Sequence, residues 1–502
     1  MGDGSKPLQT PELTLDPQDW SRLRELGHRM LDDMFEHLET VRQRQAWKPI
    51  PAEVSQELGG EVPLEARDPE QVYADFQRLI LPYPTGNIHP RFWGWVIGSG
   101  TAFGMLAQLL EGAMNCNVFG ADQGPVQVER QVIDWFKQAM GFPPGSSGIL
   151  TTGGSASNLV GLTVARHAKA EVDIATEGVR GAPRGMVLYA STETHSSVGK
   201  AVELLGLGSA ALRRIPVDGD FRIRTDLLRQ AIRQDREAGR LPFCLVGTAG
   251  TVNTGAFDPL EELAEVCREQ NLWFHVDGAF GAFATLSDTL SPLVRGMHRA
   301  DSLALDLHKW MHVQYDAGCV LLRSPQQHRA AYTHPAAYLH PQSRGLGGGS
   351  LWFHEYGFEL SRGFRALRIW MAVQEHGFRK YGQLIEQNVR QAAYLRERIA
   401  SAPELELLAP APLNIVCFRY AAPGRDEPAL TALNQGILAD LQEQGIAVPS
   451  STVLDGRFAL RVAVCNHRSR REDFDLLVEE TLRLGRSRAA QLSPSTKSSR
   501  SS

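Results

Sequence analysis

Two stretches, HVDGAFGAF at residues 275–283 and ADSLALDLHKW at residues 300–310, decide the predicted fold. One apolar, strand-like run ends at Asp277, and a second ends beside His308 and Lys309. In open α/β sheets ligands bind at the carboxyl ends of strands, so the spacing predicts that the carboxylate and the amine project into one crevice. A lysine held there can lose its proton and attack a carbonyl carbon. The pattern therefore indicates Schiff-base chemistry.

The surrounding chain predicts the α/β class. From about residue 148 to about residue 323, strand-like apolar runs alternate with helix-like segments. Such alternation is typical of a mainly parallel sheet with crossover helices. Taken singly, Asp277 also fits a buried ion-pair partner and Lys309 a surface lysine. Their positions at two successive strand ends favour a functional site.

Composition excludes some classes of function. The chain has 502 residues, of which 43% are hydrophobic and 22% charged, as in ordinary globular proteins. The formal net charge of −5 gives no basic excess, so no nucleic-acid partner is expected. Six widely spaced cysteines without a CxxC pair predict reduced thiols, no structural metal and a cytoplasmic location. The N-terminus, MGDGSKPLQT, lacks the profile of a secretory signal.

One uncharged run, residues 92–110, is long enough to raise the question of a membrane span. It contains four glycines together with Ser99, Thr101 and Gln108, and it stands alone in the chain. We therefore predict a buried loop that leads into a helix, and no membrane association.

The stretch TTGGSASNLVGL, beginning at Thr151, has the pattern of an anion site. Gly153 and Gly154 allow a tight turn, and Ser155 then opens a helix. Free backbone amides at a helix start, with hydroxyl groups beside them, bind phosphate. A capped helix without a ligand would have the same pattern, so the motif alone leaves both interpretations open.

Taken together, these motifs resemble the pyridoxal-phosphate-dependent group II amino-acid decarboxylases, the family of aromatic-L-amino-acid, histidine and glutamate decarboxylases. The resemblance spans about residues 75–470 and also rests on HPRFWG, HSSVGKA, TVNTGAFDP and SRGFRALRIW, which begin at residues 89, 195, 251 and 361. It implies the type I fold of pyridoxal-phosphate-dependent transferases. That fold has a large domain with a mainly parallel seven-stranded sheet, a small C-terminal α/β domain and an N-terminal helical dimerisation segment.

The domain boundaries follow from this resemblance and from hydrophobic periodicity. We predict an N-terminal helical segment and linker at residues 1–75, a large cofactor domain at 76–370, a small domain at 371–485 and a disordered tail at 486–502. Asp16 and Pro17 are expected to open a long amphipathic helix. In the family the partner of its apolar stripe is the second subunit of a homodimer with active sites at the subunit interface. Packing against its own chain is the alternative.

The resemblance assigns roles to individual residues. Lys309 would hold pyridoxal 5'-phosphate as a Schiff base, Asp277 would lie beside the ring nitrogen, and His195 would stack on the ring. Tyr338 would return a proton to the α-carbon. The remaining cofactor-binding residues implied by the family motifs are Ala156, Ser157, Thr251, Ala279 and His308. Asp306 stands where several relatives carry asparagine.

The implied substrate residues are Trp95, Phe119, which the family contributes across the dimer interface, and Ser361. Trp95 fits a core position equally well. Ser361 favours a smaller, polar aromatic substrate, although Gly363 replaces an arginine of the family pattern. Acidic substrates would need a basic group near the side-chain pocket, and the sequence does not place one.

The function implied is decarboxylation of an L-amino acid, most often aromatic, to the amine and CO2 through the Lys309 Schiff base and a quinonoid intermediate. One alternative is a decarboxylase for an acidic or other non-aromatic amino acid. Others are an aldehyde synthase, a transaminase, a cysteine desulfurase, or an inactive cofactor-binding homologue. Relatives with phenylalanine at the position of Tyr338 tend to make aldehydes, so Tyr338 favours the amine.

Overall fold

The computed structural model describes residues 13–334 and 342–491. They form two compact units, which are described separately. The first contains residues 13–44 and 49–84, and the second contains residues 45–48 and 85–491.

Three α-helices make up most of the first unit: α1, Trp20–Glu39; α2, Ala52–Leu58; and α3, Pro69–Asp75. The predicted helix start at Asp16 is wrong, because Asp19 caps α1 by accepting hydrogen bonds from the backbone N–H groups of Ser21 and Arg22. The apolar side chains of Trp20, Leu23 and Met30 on α1 are exposed.

The second unit holds the remaining helices and all the strands of the described residues. Its helices are α4 Ala102–Met114, α5 Gly124–Ala139, α6 Gly154–Lys169, α7 Ile174–Glu177, α8 Ser196–Leu204, α9 Thr225–Glu237, α10 Leu260–Gln270, α11 Pro325–Ala330, α12 Ala366–Ala400, α13 Glu427–Glu443 and α14 Arg471–Gln491. Its strands are β1 Phe92–Trp93, β2 Ser147–Thr151, β3 Met186–Ser191, β4 Leu212–Ile215, β5 Leu241–Thr248, β6 Trp273–Asp277, β7 Ser302–Asp306, β8 Gly318–Leu322, β9 Leu405–Leu407, β10 Ile415–Tyr420, β11 Val448–Leu454 and β12 Arg457–Ala463.

The larger sheet has the strand order β2-β8-β7-β6-β5-β3-β4. Strand β8 runs antiparallel to both of its neighbours, and the other pairs are parallel. Strands β6 and β7 are buried along their whole length, as expected for parallel strands covered on both faces. The predicted α/β class with a mainly parallel seven-stranded sheet is confirmed.

A smaller sheet has the order β1-β11-β12-β10-β9 and is packed against α12, α13 and α14. Strand β1 comes from the segment before the larger sheet and pairs in parallel with β11. Helix α12 spans the predicted boundary at residue 370, and α14 continues past the predicted boundary at residue 485 to Gln491. The division into four predicted segments stays a prediction.

The sheet positions the predicted site by ending several strands at one edge. Asp277 is the last residue of β6 and Asp306 the last of β7, its parallel neighbour. Helix α6 starts at Gly154, three residues after β2 ends at the same edge. The run at residues 92–110 forms β1, a loop and the start of α4. In the described part of the chain, every helix is too short or too polar to cross a membrane.

Candidate active site

A cavity of about 240 Å³ lies at this edge of the sheet. It is bounded by the end of β6, the end of β7 and the starts of α6 and α8. The residues that line it are Thr152, Gly153, Gly154, Ser155, Ala156, Asn158, His195, Ser197, Asp277, Ala279, Asp306, His308 and Lys309. Polar and titratable groups from four separate elements therefore converge on one small space.

Lys309 lines the cavity and forms an ion pair with Asp306. The Lys309 Nζ atom lies 2.7 Å from Asp306 Oδ2, and the aspartate is almost fully buried while the lysine is partly exposed. Asp306 also accepts a hydrogen bond from the backbone N–H of Gly154 at the start of α6. The lysine amine must leave this ion pair before it can act as a nucleophile.

His308 forms one wall of the cavity beside Lys309. Its Nδ1 atom accepts a hydrogen bond from the backbone N–H of Ala317 at 3.1 Å, so in the neutral ring the proton is on Nε2. The ring stacks on Tyr315 with a centroid distance of 4.2 Å, and burial lowers the pKa of His308. His308 thus offers a neutral Nε2–H donor near the start of α6.

Gly153 and Gly154 form the turn at the start of α6, which we call the α6 cradle. Gly153 adopts φ +154°, and a Cβ atom there would lie 3.0 Å from His308 Cε1. A Cβ atom on Gly154 would lie 2.7 Å from Asp306 Oδ2. Both glycines are therefore required by the close approach of α6 to the end of β7, and the approach leaves the first amides of the helix directed at the cavity.

Asp277 is a buried carboxylate held by two donors. Its Oδ2 atom accepts a hydrogen bond from Asn158 Nδ2 at 3.0 Å, and its Oδ1 atom accepts one from the backbone N–H of Ala279 at 3.2 Å. No arginine or lysine forms an ion pair with Asp277 within the described residues. A buried carboxylate without a cation partner favours a cationic group in the space it faces.

His195 caps α8 with its side chain. Its Nδ1 atom accepts a hydrogen bond from the Ser197 backbone N–H at 3.2 Å and lies 2.7 Å from Ser197 Oγ. Burial lowers the pKa of His195, and the Asp277 carboxylate opposes this shift. The imidazole is therefore neutral at neutral pH and lines the cavity between the start of α8 and the end of β6.

A family model described as "pyridoxal-dependent decarboxylase conserved domain" matches residues 51–421 of the chain. The chain belongs to this family. An aromatic-L-amino-acid decarboxylase of Bacillus atrophaeus is 33% identical over 457 residues, 90% of this chain and 93% of the relative. A 4-hydroxyphenylacetaldehyde synthase of Rhodiola rosea is 27% identical over 479 residues, 92% and 94% of the two chains. A crystal structure of Oryza sativa TDC with PLP and tryptamine shares the fold, with a TM-score of 0.87, 24% identity, and 95% and 100% of the two chains covered.

The residues of this decarboxylase fit pyridoxal phosphate. The α6 cradle offers backbone N–H groups to a phosphate, and Cβ atoms at residues 153 and 154 would fill the space beside it. Asp277 lacks a cation partner in the described structure and would meet a protonated ring nitrogen. Lys309 supplies the amine that reacts with an aldehyde. Donor, acceptor and nucleophile are thus all present in a single cavity.

The structure brings six of the predicted site residues together as cavity lining: Ala156, His195, Asp277, Ala279, His308 and Lys309. Two others are not part of the lining: Ser157 Oγ is 2.8 Å from Thr151 Oγ1, and the buried Thr251 hydroxyl is 3.0 Å from that of Thr254. The three predicted substrate residues, Trp95, Phe119 and Ser361, lie outside this lining. Tyr338 is outside the described residues. All of these roles stay predictions.

The sequence did not point to several residues that the cavity uses. Asn158 and Ser197 line the cavity, and His275 lies directly behind Asn158, with its Nε2 atom 2.9 Å from Asn158 Oδ1. Strand alternation could have found His275, because residues two apart on a strand share a face and His275 precedes Asp277 by two. Asn158 is the one amide residue of α6, on a helix whose later residues are mostly buried and apolar.

Replacing Asp306 with asparagine is expected to speed the association of pyridoxal phosphate with the cofactor-free enzyme. The substitution keeps an acceptor for Gly154, removes one negative charge beside the cradle and releases Lys309 from its ion pair. A charge-assisted hydrogen bond contributes roughly 1.5–3 kcal/mol, so we expect an increase of about tenfold. Stopped-flow absorbance of the cofactor measures the rate. Asp301→Asn is the matched control, and slower association in Asp306→Asn alone would refute the expectation.

Proposed function

We propose that this decarboxylase converts an aromatic L-amino acid to the corresponding amine and CO2. The observation that carries the proposal is the convergence of Lys309, Asp277 and His195 on one cavity beside the α6 cradle. The choice of an aromatic substrate is supported by the relative from Bacillus atrophaeus, an aromatic-L-amino-acid decarboxylase that the chain matches over 90% of its length.

Bound pyridoxal phosphate supplies a conjugated ring into which the electron pair left by the departing carboxylate delocalises. Lys309 lines the cavity and would hold the cofactor through its Nζ atom until the substrate amine takes its place. Asp277 would hold a proton on the ring nitrogen of the bound cofactor, because a buried carboxylate stabilises a neighbouring cation. Ser155 and Ala156, in the first turn of α6, would bind the phosphate through their backbone N–H groups, since the N–H of Gly154 already donates to Asp306.

His195 positions the substrate. Its ring lines the cavity as a neutral imidazole whose Nδ1 is already an acceptor, which leaves the Nε2–H group free to donate. That donor would bind and orient the substrate carboxylate. Tyr338 then delivers a proton to the α-carbon.

Aromatic side chains near the predicted substrate residues support a bulky apolar substrate. The indole of Trp95 is 58% exposed, which differs from the core alternative for this residue. The ring centroid of Phe119 lies 5.8 Å from that of Trp352 and 6.4 Å from that of His354. These groups would contact an aromatic side chain by burial and offset stacking.

A product assay tests the proposal. Purified enzyme with added pyridoxal phosphate is incubated with single amino acids, and amine, aldehyde and CO2 are measured together. Amine and CO2 in equal amounts from one aromatic amino acid are the expected result. Aldehyde as the main product would favour the activity in the name of the Rhodiola rosea relative. No product from any amino acid, despite bound cofactor, would overturn the proposal in favour of an inactive homologue.

Tyr338→Phe is expected to shift the products from amine towards aldehyde. Without the hydroxyl group, the α-carbon loses its proton donor, and oxidative deamination by dissolved O2, which gives aldehyde, ammonia and H2O2, competes with amine formation. General acids of this kind contribute about 10²–10⁴-fold to the step they catalyse, so we expect amine formation to fall by about 100-fold. Tyr332→Phe, a hydroxyl deletion at a partly buried tyrosine, is the control. An unchanged ratio of amine to aldehyde would exclude this role.

The enzyme acts as a homodimer in the cytoplasm, with each active site at the subunit interface. Exposed apolar side chains on α1 (Trp20, Leu23) and, within the second unit, on α4 (Leu109, Met114) support a second copy of the chain as the partner. Light scattering on the holoenzyme should give about twice the chain mass of 55.4 kDa. A monomeric holoenzyme would reject the dimer.

A further inference from the structure

A continuous line of buried hydrogen bonds runs from Trp273 to the cavity. Trp273 Nε1 donates to Ser302 Oγ at 2.8 Å, and Ser302 Oγ lies 2.7 Å from His275 Nδ1. His275 Nε2 lies 2.9 Å from Asn158 Oδ1. Asn158 Nδ2 then contacts both Ser197 Oγ, at 2.9 Å, and Asp277 Oδ2, at 3.0 Å. The proposed activity uses Asp277, at one end of this line, and His195, beyond Ser197 at the other. It gives no role to the residues between them and Trp273.

The direction of the first hydrogen bonds is fixed by chemistry. The Trp273 indole can only donate, so Ser302 Oγ accepts there and has its own proton free for His275 Nδ1. Complete burial lowers the pKa of His275 to about 4, so its ring is neutral at neutral pH and has a single N–H. The Asn158 amide oxygen beside Nε2 places that proton on Nε2, which leaves Nδ1 to accept from Ser302.

The orientation of the Asn158 amide is fixed in the same way. A carboxylate can only accept, so the group that faces Asp277 is the amide NH2. The amide oxygen therefore faces His275, whose Nε2–H donates to it. Asn158 is fully buried, and each of its three polar positions has a partner of the right kind.

The tautomer of His195 is fixed by its hydrogen bonds in the same way. Ser197 Oγ accepts from Asn158, and its proton is directed at His195 Nδ1, 2.7 Å away. The backbone N–H of Ser197 also donates to His195 Nδ1. Two independent donors therefore require a lone pair on Nδ1 and place the proton of the neutral ring on Nε2.

We propose that Asn158 is a positioning residue that orders the hydrogen bonds of the active site, fixing Asp277 as an acceptor and, through Ser197, His195 as the Nε2–H tautomer. The inference deepens the proposed function and rests on it for the substrate contact of His195. The Asp277 carboxylate, which can only accept, sets the direction of the line through Asn158 to His275. The line branches at Asn158. One hydrogen bond leads to Asp277, which would meet the cofactor ring, and the other leads through Ser197 to His195, which would meet the substrate.

Helix packing supports a dedicated role for this line. A Cβ atom on Gly161 would lie 2.7 Å from His275 Cε1, so only a glycine one turn after Asn158 leaves room for the imidazole between α6 and the sheet. A buried polar network is costly unless every member is satisfied, and an apolar residue at 275 would fill this space without a polar partner. The helix is thus shaped around a histidine whose described contacts connect it to the active site.

Histidine tautomers can be measured directly. Solid-state NMR of the holoenzyme with 15N-labelled histidine, assigned with His195→Gln and His275→Gln, distinguishes Nδ1–H from Nε2–H. We expect both residues to be neutral with the proton on Nε2. An Nδ1–H tautomer or a doubly protonated ring at either position would overturn the proposal. The measurement needs no amino-acid substrate, so it separates failure of this inference from failure of the proposed function.

Asn158→Asp tests the positioning role with a substitution of nearly equal size. Two carboxyl groups about 3 Å apart cannot both ionise, so residues 158 and 277 would share one proton. We expect a titration in the absorbance of the bound cofactor at near-neutral pH that the wild-type enzyme lacks, and at least tenfold weaker cofactor binding. The substitution replaces none of the other titratable or charged groups that face His195, which are Asp277, Lys309, Asp306 and Lys200.

Thr163→Val is the matched control, because Thr163 lies on the same helix and its hydroxyl donates only to the backbone oxygen of Leu159 among its described contacts. The control should keep the wild-type spectrum and cofactor affinity. A wild-type spectrum in Asn158→Asp would overturn the proposal. If Asn158→Asp does not fold, the tautomer measurement on the wild-type holoenzyme decides the question.

Discussion

Asp277→Asn is expected to bind pyridoxal phosphate and to lose about 10- to 1000-fold in turnover. A carboxylate close to an ionisable nitrogen raises the pKa of that nitrogen by about 1–3 units, and each unit corresponds to about 1.4 kcal/mol. Asparagine has nearly the same size and still accepts from Ala279, while its NH2 group replaces the oxygen that accepts from Asn158. The negative charge that favours a protonated ring nitrogen is lost, and with it the electron-withdrawing power of the ring.

The measurement is turnover of the wild-type enzyme and the variant at saturating cofactor, with the bound cofactor followed by its absorbance. Asp301→Asn is the matched control, because Asp301 also accepts a backbone N–H, that of Phe274, but at the opposite end of β6. The control should keep turnover near the wild-type value. Near-normal turnover in Asp277→Asn would remove Asp277 from the proposed chemistry.

The sequence predicts the strand ends of the site well, because their signals are local. Apolar runs that end in Asp277 and beside His308 and Lys309 need only the period of a buried strand to be recognised. The glycine pair before α6 is a helix-start signal of the same kind. The positions of these residues within the cavity follow once the sheet is parallel, since parallel strands end at one edge.

Contacts between distant side chains were not predictable from these signals. The ion pair of Asp306 with Lys309 depends on the rotamers of two residues whose types allow many partners. The line through Asn158 and His275 joins positions 117 residues apart, and no periodicity encodes that distance. Pairing of β1 with β11 is also nonlocal, and a two-residue strand has too short a pattern to detect.

Arg362→Met is expected to destabilise the enzyme by about 3–5 kcal/mol, the usual cost of leaving a buried charge without its partner. Arg362 and Glu129 form an ion pair in which both side chains are fully buried. The guanidinium also donates to the backbone oxygens of Val118, at 2.8 Å, and Leu150, at 2.9 Å. After the substitution Glu129 keeps only the backbone N–H of Leu150 as a donor among its described contacts.

The ion pair of Arg362 with Glu129 also lies beside two segments that carry predicted substrate residues, Phe119 and Ser361. The backbone N–H of Val118 donates to the backbone oxygen of Arg362 at 2.7 Å, next to Phe119 on one side and Ser361 on the other. We therefore expect Arg362→Met to raise KM for the substrate in addition to lowering stability. Arg365→Met, at a buried arginine three residues later with a partly exposed ion-pair partner in Glu359, is the comparison and should cost less.

The double variant Glu129→Leu/Arg362→Met separates the two effects. Replacing both partners by apolar residues removes the unpaired charge, so the chemical denaturation midpoint should return most of the way to that of the wild-type enzyme. The KM should stay raised, because the hydrogen bonds from the guanidinium to Val118 and Leu150 are absent in both variants. A double variant as unstable as Arg362→Met would show that these backbone contacts, and not the charge on Glu129, determine the loss of stability.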